Sequence, residues 1–264
     1  MTHNREVMPT AIITGASAGI GREFAYGCAR DGYDVVLIAR SEKSLDAIAS
    51  DIRTATGRRV HVLAIDLSDS RAPRQIFEHV RAIHSDVEIL INNAGFGLLG
   101  RFWELNEMEQ MQMIQVNVAA LTHLSRLFLP FFIERKRGRI LNVASTAAFQ
   151  PGPLMAVYYA TKSYVVSLSE AMHNEARDYG VTVTVLCPGP TKTEFKERAG
   201  MTKTKLFSSG NEMSALAVAR IGYRAMMRSR PMVVAGRLNG LMAFLTRFAP
   251  IQFAATMARK VQEI

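Results

Sequence analysis

The chain has 264 residues, of which 48% are hydrophobic, enough for the core of one domain. Its formal net charge is +9, and its only two cysteines, Cys28 and Cys187, exclude a disulfide framework and favour a reduced intracellular protein. No apolar stretch precedes the first predicted strand, and no run of about 20 apolar residues follows it. We therefore expect a cytoplasmic location, with neither a signal peptide nor a membrane-spanning helix.

Short apolar runs alternate with helix-like segments along the chain. The first run contains Ile12 and Ile13, and a helix is predicted over 22–30. Further strands are predicted at 35–39, 60–65, 87–91, 140–143 and 181–186, and further helices over 42–56, 71–84, 107–135 and 155–179. This alternation predicts a single α/β domain over residues 1–264, a doubly wound parallel sheet with helices on both faces. Right-handed crossovers place the carboxyl ends of the strands at one edge, where we expect ligands.

Three glycines lie between the first strand and the first helix, at Gly15, Gly19 and Gly21. Glycine lets the chain turn tightly and approach a pyrophosphate, whose charge then faces the N–H groups of a helix N-terminus. Three glycines alone are also compatible with a plain strand-to-helix turn. Their place at the start of an alternating chain favours a dinucleotide site, in which we include Ser17 and Ile20 of the same loop.

The second predicted strand ends at Ala39 and is followed by Arg40. An enzyme that prefers NAD usually has an acidic residue at this strand end, where it binds the ribose 2′-hydroxyl. Arginine instead can hold a 2′-phosphate by charge-assisted hydrogen bonds. The sequence therefore favours NADP(H). The alternative is an ordinary exposed arginine before a helix cap at Ser41.

Tyr158 and Lys162 lie four residues apart in a predicted helix, and Tyr158 follows Ser145 by thirteen residues. Positions i and i+4 share a helix face, so the phenol and the ammonium can point into one site. A free tyrosine has a pKa of about 10, and a nearby positive charge lowers it. A serine hydroxyl can steady a carbonyl oxygen while the tyrosine protonates it. This pattern predicts the interconversion of a ketone and an alcohol. The neighbouring Tyr159 has no lysine four residues later.

The C-terminal part of the chain is basic and apolar. Between Glu212 and Glu263 it contains eight arginine or lysine residues and no acidic residue. This region is compatible with binding to the phosphates of an acyl carrier, an acidic protein or lipid headgroups, or with a plain solubilising surface. An amphipathic segment is predicted over 236–264 from the helical spacing of Leu238, Leu241, Met242 and Leu245. Packing over the cleft or within a dimer is favoured over peripheral membrane contact.

In chain order, these features resemble the short-chain dehydrogenase/reductase family, in its compact branch, from about residue 8 to about 235. The matching residues are Thr14–Gly21, Asn92–Gly95, Asn117, Ser145, Tyr158, Lys162, Pro188, Gly189 and Thr193. The resemblance implies a Rossmann-type sheet of seven strands. It also implies a homodimer or homotetramer formed through the helices at 107–135 and 155–179. Residues 194–212, rich in lysine, threonine, serine and glycine, would be a substrate lid.

The resemblance also implies roles for individual residues. Tyr158 would be the general acid/base, Lys162 would lower its pKa and hold the nicotinamide ribose, and Ser145 would bind the substrate carbonyl. Asn117 would hold a water between Lys162 and solvent, and Asp66 would bind the adenine. The further cofactor contacts would be Leu67, Asn93, Ala94, Gly95, Pro188, Gly189, Thr191 and Thr193.

Three functions remain open. The first is an NADP(H)-dependent reductase of a hydrophobic ketone, with a 3-oxoacyl thioester as one candidate. The second is a dehydrogenase of a small hydroxy acid or sugar alcohol. The third is an NADP-binding sensor without turnover, which the presence of both Tyr158 and Lys162 disfavours. The histidines lack metal-ligand spacing, so we expect no metal. The expected partner is a small molecule and not a nucleic acid.

Overall fold

The computed structural model describes residues 8–83, 86–202, 204, 212–246 and 248–263. The strands are β1 (Thr10–Thr14), β2 (Asp34–Ala39), β3 (Val60–Ala64), β4 (Val87–Asn92), β5 (Gly138–Val143), β6 (Val181–Cys187), β7 (Thr191–Lys192), β8 (Met213–Ser214) and β9 (Met232–Val234). Seven of them form a parallel sheet in the order β3-β2-β1-β4-β5-β6-β9, and β7 pairs with β8. The predicted doubly wound parallel sheet of seven strands is confirmed.

Helices connect the strands. They are α1 (Gly19–Arg30), α2 (Glu42–Thr56), α3 (Ala72–Ile83), α4 (Glu107–Ile114), α5 (Leu121–Glu134), α6 (Ala156–Ala176), α7 (Phe195–Arg198), α8 (Ala215–Met227), α9 (Arg237–Leu245) and α10 (Ile251–Gln262). A π-helix, Gln115–Ala120, joins α4 to α5, and 3₁₀ turns occupy Thr146–Phe149 and Arg177–Tyr179. The predicted helices over 107–135 and 155–179 are therefore each composite.

The first helix begins earlier than predicted, at Gly19 and not at residue 22. Gly19 and Gly21 thus belong to the first turn of α1 and not only to the loop before it. The boundaries of α2 agree with the sequence, because its ends are marked locally. Ser41 accepts a hydrogen bond from the backbone N–H of Ser44, and Gly57 adopts the left-handed conformation, φ +67°, after the last turn.

The sheet has a hydrophobic core on each face, because alternate residues of a strand point to opposite sides. Ile13 and Leu37 pack in one core with Phe24 of α1. Ile12 packs in the other core with Phe128 of α5. These strands are buried on both faces, and each fully buried side chain of this size contributes about 1.5–3 kcal/mol of stability. The sheet is therefore packed from both sides.

One continuous helical segment, Glu107–Glu134, is long and apolar enough to cross a membrane by length and composition alone. From the sequence we expected no membrane-spanning helix, because no run of about 20 apolar residues is present. The segment contributes Leu124, Phe128 and Phe132 to a core of the sheet. One side of the segment therefore packs on the sheet.

Candidate active site

The glycine loop after β1 packs against the end of β4. Gly15 has a φ of +64°, and the side-chain amide of Asn93 donates to the backbone oxygens of Thr14 at 3.0 Å and Gly15 at 3.2 Å. A Cβ atom on Gly21 would lie 2.2 Å from the backbone oxygen of Gly15 and 2.4 Å from the Asn93 amide nitrogen. Gly21 is therefore required for this close packing.

The N-terminus of α1 is open to a ligand. Its N-cap residue, Ala18, makes no side-chain hydrogen bond, and its first turn contains no acidic residue. The N–H groups of a first helical turn have no partner within the helix and lie at the positive end of its dipole. The loop and this turn therefore suit the pyrophosphate of a dinucleotide.

A cavity of about 910 Å³ runs along the carboxyl edge of the sheet. Of the predicted site residues, it is lined by Gly15, Ser17, Gly19, Ile20, Arg40, Asp66, Leu67, Asn93, Ala94, Gly95, Ser145, Tyr158, Lys162, Pro188, Gly189, Thr191 and Thr193. The other two predicted site residues, Gly21 and Asn117, are buried and do not line the cavity. The topology thus brings together residues from the ends of six strands.

Two polar residues line the side of the cavity where the sequence predicts the adenosine of a dinucleotide. Arg40, after β2, is exposed, and its neighbour Ala39 is partly buried. Asp66, after β3, is exposed and accepts a hydrogen bond from the backbone N–H of Ser68 at 2.9 Å. Arg40 therefore places a positive charge at this side of the cavity, while one oxygen of Asp66 is already engaged.

Ser145, Tyr158 and Lys162 meet at the other side of the cavity. Lys162 Nζ donates to the backbone oxygen of Val143 at 2.9 Å and lies 5.7 Å from the centroid of the Tyr158 ring. Burial raises the pKa of Tyr158, and a hydrogen bond with Ser145 partly opposes that rise. Burial lowers the pKa of Lys162 to about 8. The expected lowering of the Tyr158 pKa by Lys162 is therefore not seen in this structure, where desolvation is the largest influence and raises that pKa.

Asn117 lies in the π-helix and is 1% exposed. Its Oδ1 accepts from the backbone N–H of Phe96 at 3.1 Å, and its Nδ2 donates to the backbone oxygen of Phe96 at 2.9 Å and to Thr161 Oγ1 at 3.1 Å. A Cβ on Gly95 would lie 3.0 Å from Asn117 Oδ1 and 3.4 Å from Lys162 Nζ. Single-turn π-helices are frequent at functional sites. Asn117 thus holds the strand end beside Lys162, and its role in holding a water stays a prediction.

The segment after β6 joins the two sides of the cavity. Ser145 Oγ lies 3.4 Å from the backbone oxygen of Pro188, which also accepts from the backbone N–H of Thr146 at 2.8 Å. At its other end, Thr193 approaches the glycine loop so closely that a Cβ on Gly19 would lie 2.9 Å from its methyl group. This segment spans the region expected for a nicotinamide.

Residues 9–204 match the family model described as short chain dehydrogenase. The chain belongs to the short-chain dehydrogenase family. Among curated relatives, mouse 17-beta-hydroxysteroid dehydrogenase type 3 is 34% identical over 200 residues, 74% of this chain and 64% of that protein. The very-long-chain 3-oxoacyl-CoA reductase of Mycosarcoma maydis is 35% identical over 181 residues, 67% of this chain and 51% of that protein. The chain thus spans between half and two thirds of the length of these relatives.

Among solved structures of similar chains, one contains NADPH and another contains NAD. A short-chain dehydrogenase from Sphingobium yanoikuyae in complex with NADPH is 30% identical, with a TM-score of 0.82 over 92% of this chain and 96% of that one. A short-chain dehydrogenase/reductase from Burkholderia phymatum in complex with NAD is 25% identical, with a TM-score of 0.81 over 97% of both chains. Membership of the family therefore implies NAD(P) and leaves the choice between the two forms to this chain's own residues.

Apolar side chains from separate segments also line the cavity, and the sequence motifs of the family did not indicate them. They are Phe96, Leu98, Phe195, Met242, Met257 and Val261. Met242 belonged to a predicted helical stripe, but its spacing did not show that it faces a cleft. Asn239 also lines the cavity, and a Cβ on Gly189 would lie 2.4 Å from its Nδ2. Of the predicted lid, residues 203 and 205–211 lie outside the described residues.

Tyr159, beside the proposed acid/base, has a contact that the sequence did not indicate. Its hydroxyl accepts a hydrogen bond from the side-chain amide of Gln262 in α10, and Gln262 is 1% exposed. A Cβ on Gly152 would lie 2.2 Å from the Tyr159 ring, so Gly152 makes room for it. This contact joins the last helix of the chain to α6 and closes one side of the cavity.

We expect Tyr159→Phe to loosen α10. The change removes the acceptor of the buried Gln262 amide, and leaving a buried donor without a partner costs about 1–3 kcal/mol. Hydrogen exchange of the α10 backbone amides should accelerate, while exchange in the β-sheet stays as in the unchanged protein. Equal exchange rates in α10 would show that the hydrogen bond does not hold this helix.

Proposed function

We propose that this protein is an NADP(H)-dependent oxidoreductase that interconverts a hydrophobic ketone and a secondary alcohol. One observation carries the proposal. A single cavity joins the glycine loop and Arg40 to Ser145, Tyr158 and Lys162, and its lining next to Tyr158 is largely apolar. Family membership supports the reaction class.

The cofactor assignment is supported by the adenosine side of the cavity. The open first turn of α1 suits a pyrophosphate, and Arg40 supplies the positive charge that a 2′-phosphate needs. Asp or Glu at position 39 would repel that phosphate, and this chain has Ala39 there. These features favour NADP(H) over NAD(H), although relatives of both kinds are known.

The proton chemistry follows from the surroundings of Tyr158. When bound, the nicotinamide cofactor supplies or accepts the hydride. During reduction, Ser145 holds the carbonyl oxygen and Tyr158 donates its proton to that oxygen as negative charge develops on it. Burial keeps the phenol protonated until this stronger base appears. The positive charge of Lys162 then stabilises the phenolate that remains.

The substrate class is supported by the apolar lining. Phe96, Phe195 and Met155 surround the ring of Tyr158, and the centroid of the Phe195 ring lies 5.3 Å from the centroid of the Tyr158 ring. A small hydroxy acid or sugar alcohol would lose hydration there without gaining enough hydrogen bonds. The names of the relatives, a hydroxysteroid dehydrogenase and a 3-oxoacyl-CoA reductase, agree with a bulky apolar substrate. A 3-oxoacyl thioester is our first candidate.

The test is oxidation of NADPH, with NADH in parallel, against long-chain 3-oxoacyl thioesters, a steroid ketone and small diketones. NADPH-dependent turnover of the long thioesters or the steroid supports the proposal. Turnover only of small carbonyls would contradict the substrate class. Tight NADPH binding without turnover, in both reaction directions, would favour the sensor function.

We expect Arg40→Asp to raise the KM for NADPH by about 10–100-fold, because hydrogen bonds to charged groups contribute about 1.5–3 kcal/mol each. The KM for NADH should change little, so the preference shifts toward NADH. Steady-state kinetics with both cofactors measure this. Arg74→Asp is the matched control, since Arg74 is exposed on α3 and does not line the cavity. An unchanged cofactor preference in Arg40→Asp would refute the 2′-phosphate assignment.

A further inference from the structure

The two C-terminal helices and the turn between them expose a set of large apolar side chains, which we call the apolar face. It comprises Leu238, Leu241, Phe244, Leu245, Phe248, Ile251 and Phe253. Their exposed fractions run from 49% for Leu245 to 73% for Phe248. The rings of Phe244 and Phe248 pack edge to face, with centroids 5.2 Å apart. Of the stripe that predicted an amphipathic α9, Leu238, Leu241 and Leu245 thus face outward, whereas Met242 also lines the cavity.

In α10 the small side chains are buried and large apolar side chains are exposed, which is the reverse of an ordinary surface helix. Ala254, Ala258 and Gln262, at positions i, i+4 and i+8, are buried, whereas Ile251 and Phe253 are exposed. A surface helix of a globular protein normally buries its large apolar side chains and exposes its small and polar ones. Large exposed apolar patches in stable proteins mark interaction surfaces.

The same helices carry positive charge. The chain contains no acidic residue between Glu212 and Glu263, and Arg237, Arg259 and Lys260 are all exposed. Arg259 is paired with Glu263 at 2.9 Å. Within the described part of the chain, Arg237 and Lys260 form no salt bridge. Exposed apolar side chains and unpaired cations on the same helices are the combination that binds an anionic lipid surface.

We propose that the apolar face is a docking surface for an anionic lipid bilayer. The helices would lie on the membrane, with the apolar side chains among the acyl chains and Arg237 and Lys260 at the headgroups. A second copy of the chain fits this surface less well. A two-fold interface is made of the same patch on both subunits, so Arg237 and Lys260 of one copy would approach those of the other. The segment supplies no acidic residue to neutralise these cations.

The apolar face adjoins the cavity. Met242, Met257 and Val261 line the cavity and are also 55%, 46% and 37% exposed at the surface. Docking would therefore place the mouth of the cavity at the bilayer, from which an apolar substrate can enter. Substrate entry rests on the proposed function, whereas docking itself does not and is measured without turnover.

The experiment is co-sedimentation of the purified full-length protein with vesicles of phosphatidylcholine alone or with 30–40% phosphatidylglycerol. We expect binding to the anionic vesicles that weakens as salt is raised. Leu241→Asp with Phe253→Asp should weaken binding more than about tenfold, since both side chains are exposed, outside the cavity lining, and would carry charge into lipid. The matched control is Ile83→Asp with Tyr179→Asp, exposed positions that precede β4 and β6 at the opposite edge of the sheet. This control variant should bind to the anionic vesicles as the unchanged protein does.

A second pair tests the charges. Arg237→Gln with Lys260→Gln should weaken binding to anionic vesicles by about fivefold per residue at low salt, and should not change the behaviour with phosphatidylcholine alone. Thermal unfolding and circular dichroism, equal in all variants, show that the proteins are folded. Absence of vesicle binding by the unchanged protein would overturn the proposal. So would equal binding by Leu241→Asp/Phe253→Asp and its control. If vesicles do not bind but that variant abolishes a dimer, the occupant is a second copy.

Discussion

Tyr158→Phe is expected to lower kcat by about 10²–10⁴-fold, the range by which a positioned general acid/base accelerates a reaction. The substitution removes the hydroxyl that hydrogen-bonds Ser145 and retains the ring, which packs against Phe195. The cavity therefore keeps its shape, and NADPH affinity should change little. The measurements are steady-state turnover of the ketone found in the substrate panel and a fluorescence titration with NADPH.

Tyr159→Phe is the matched control, because it makes the same chemical change one residue away. Tyr159 also lines the cavity, but its hydroxyl is bonded to Gln262 and not to Ser145. We expect its effect to fall on α10 and on KM, with kcat within a few-fold of the unchanged protein. If Tyr158→Phe kept most of its kcat, or if Tyr159→Phe lost it, the assignment of the proton donor would be wrong.

Gly21→Ala is expected to weaken NADPH binding by about 10²-fold or more and to lower the melting temperature. The added Cβ would lie 2.2 Å from the backbone oxygen of Gly15, more than 1 Å inside ordinary van der Waals contact, and 2.4 Å from the Asn93 amide. The loop must then move away from β4, and a misplacement of about 1 Å at a site can cost 10²-fold. NADPH titration and thermal unfolding measure the two effects.

The same helix supplies the control for Gly21→Ala. Gly27 lies in α1 as well, and a Cβ there would meet nothing within 4 Å. Alanine stabilises a helix interior by about 0.5–1 kcal/mol relative to glycine, so Gly27→Ala should raise the melting temperature and leave NADPH binding unchanged. Equal NADPH affinity in the two variants would mean that the close packing of Gly21 is not needed for the cofactor site.

Arg40→Asp complements the substitutions at Tyr158 and Gly21, because it tests the choice of cofactor. Tyr158→Phe tests the chemistry and Gly21→Ala tests the pyrophosphate loop, whereas Arg40→Asp separates NADPH from NADH without touching either. Loss of the NADPH preference with turnover intact would support the assignment of NADP(H) as the cofactor. The three results together distinguish a catalyst of this class from a sensor that only binds the dinucleotide.

The amino-acid sequence by itself determined the alternating strands and helices, the parallel sheet and the order of the candidate site residues along the chain. The number of seven strands came from the family resemblance. These features depend on signals that lie close together in the chain. Hydrophobic periodicity specifies a strand or a helix, and Ser41 and Gly57 mark the ends of α2. The crossover rule then places the strand ends at one edge, and the cavity indeed gathers seventeen predicted residues there.

Only the tertiary structure decided the features that depend on residues distant in sequence. Asn117 contacts Phe96 and Thr161, and Tyr159 contacts Gln262, 103 residues away. The pKa of Tyr158 is raised because surrounding segments exclude water, and no motif encodes that exclusion. The spacing of Leu238 and Leu241 predicted a helix with an apolar stripe, but the stripe's direction depends on how α9 and α10 pack. Periodicity specifies which residues share a face, whereas only the packing of the whole chain determines what that face meets.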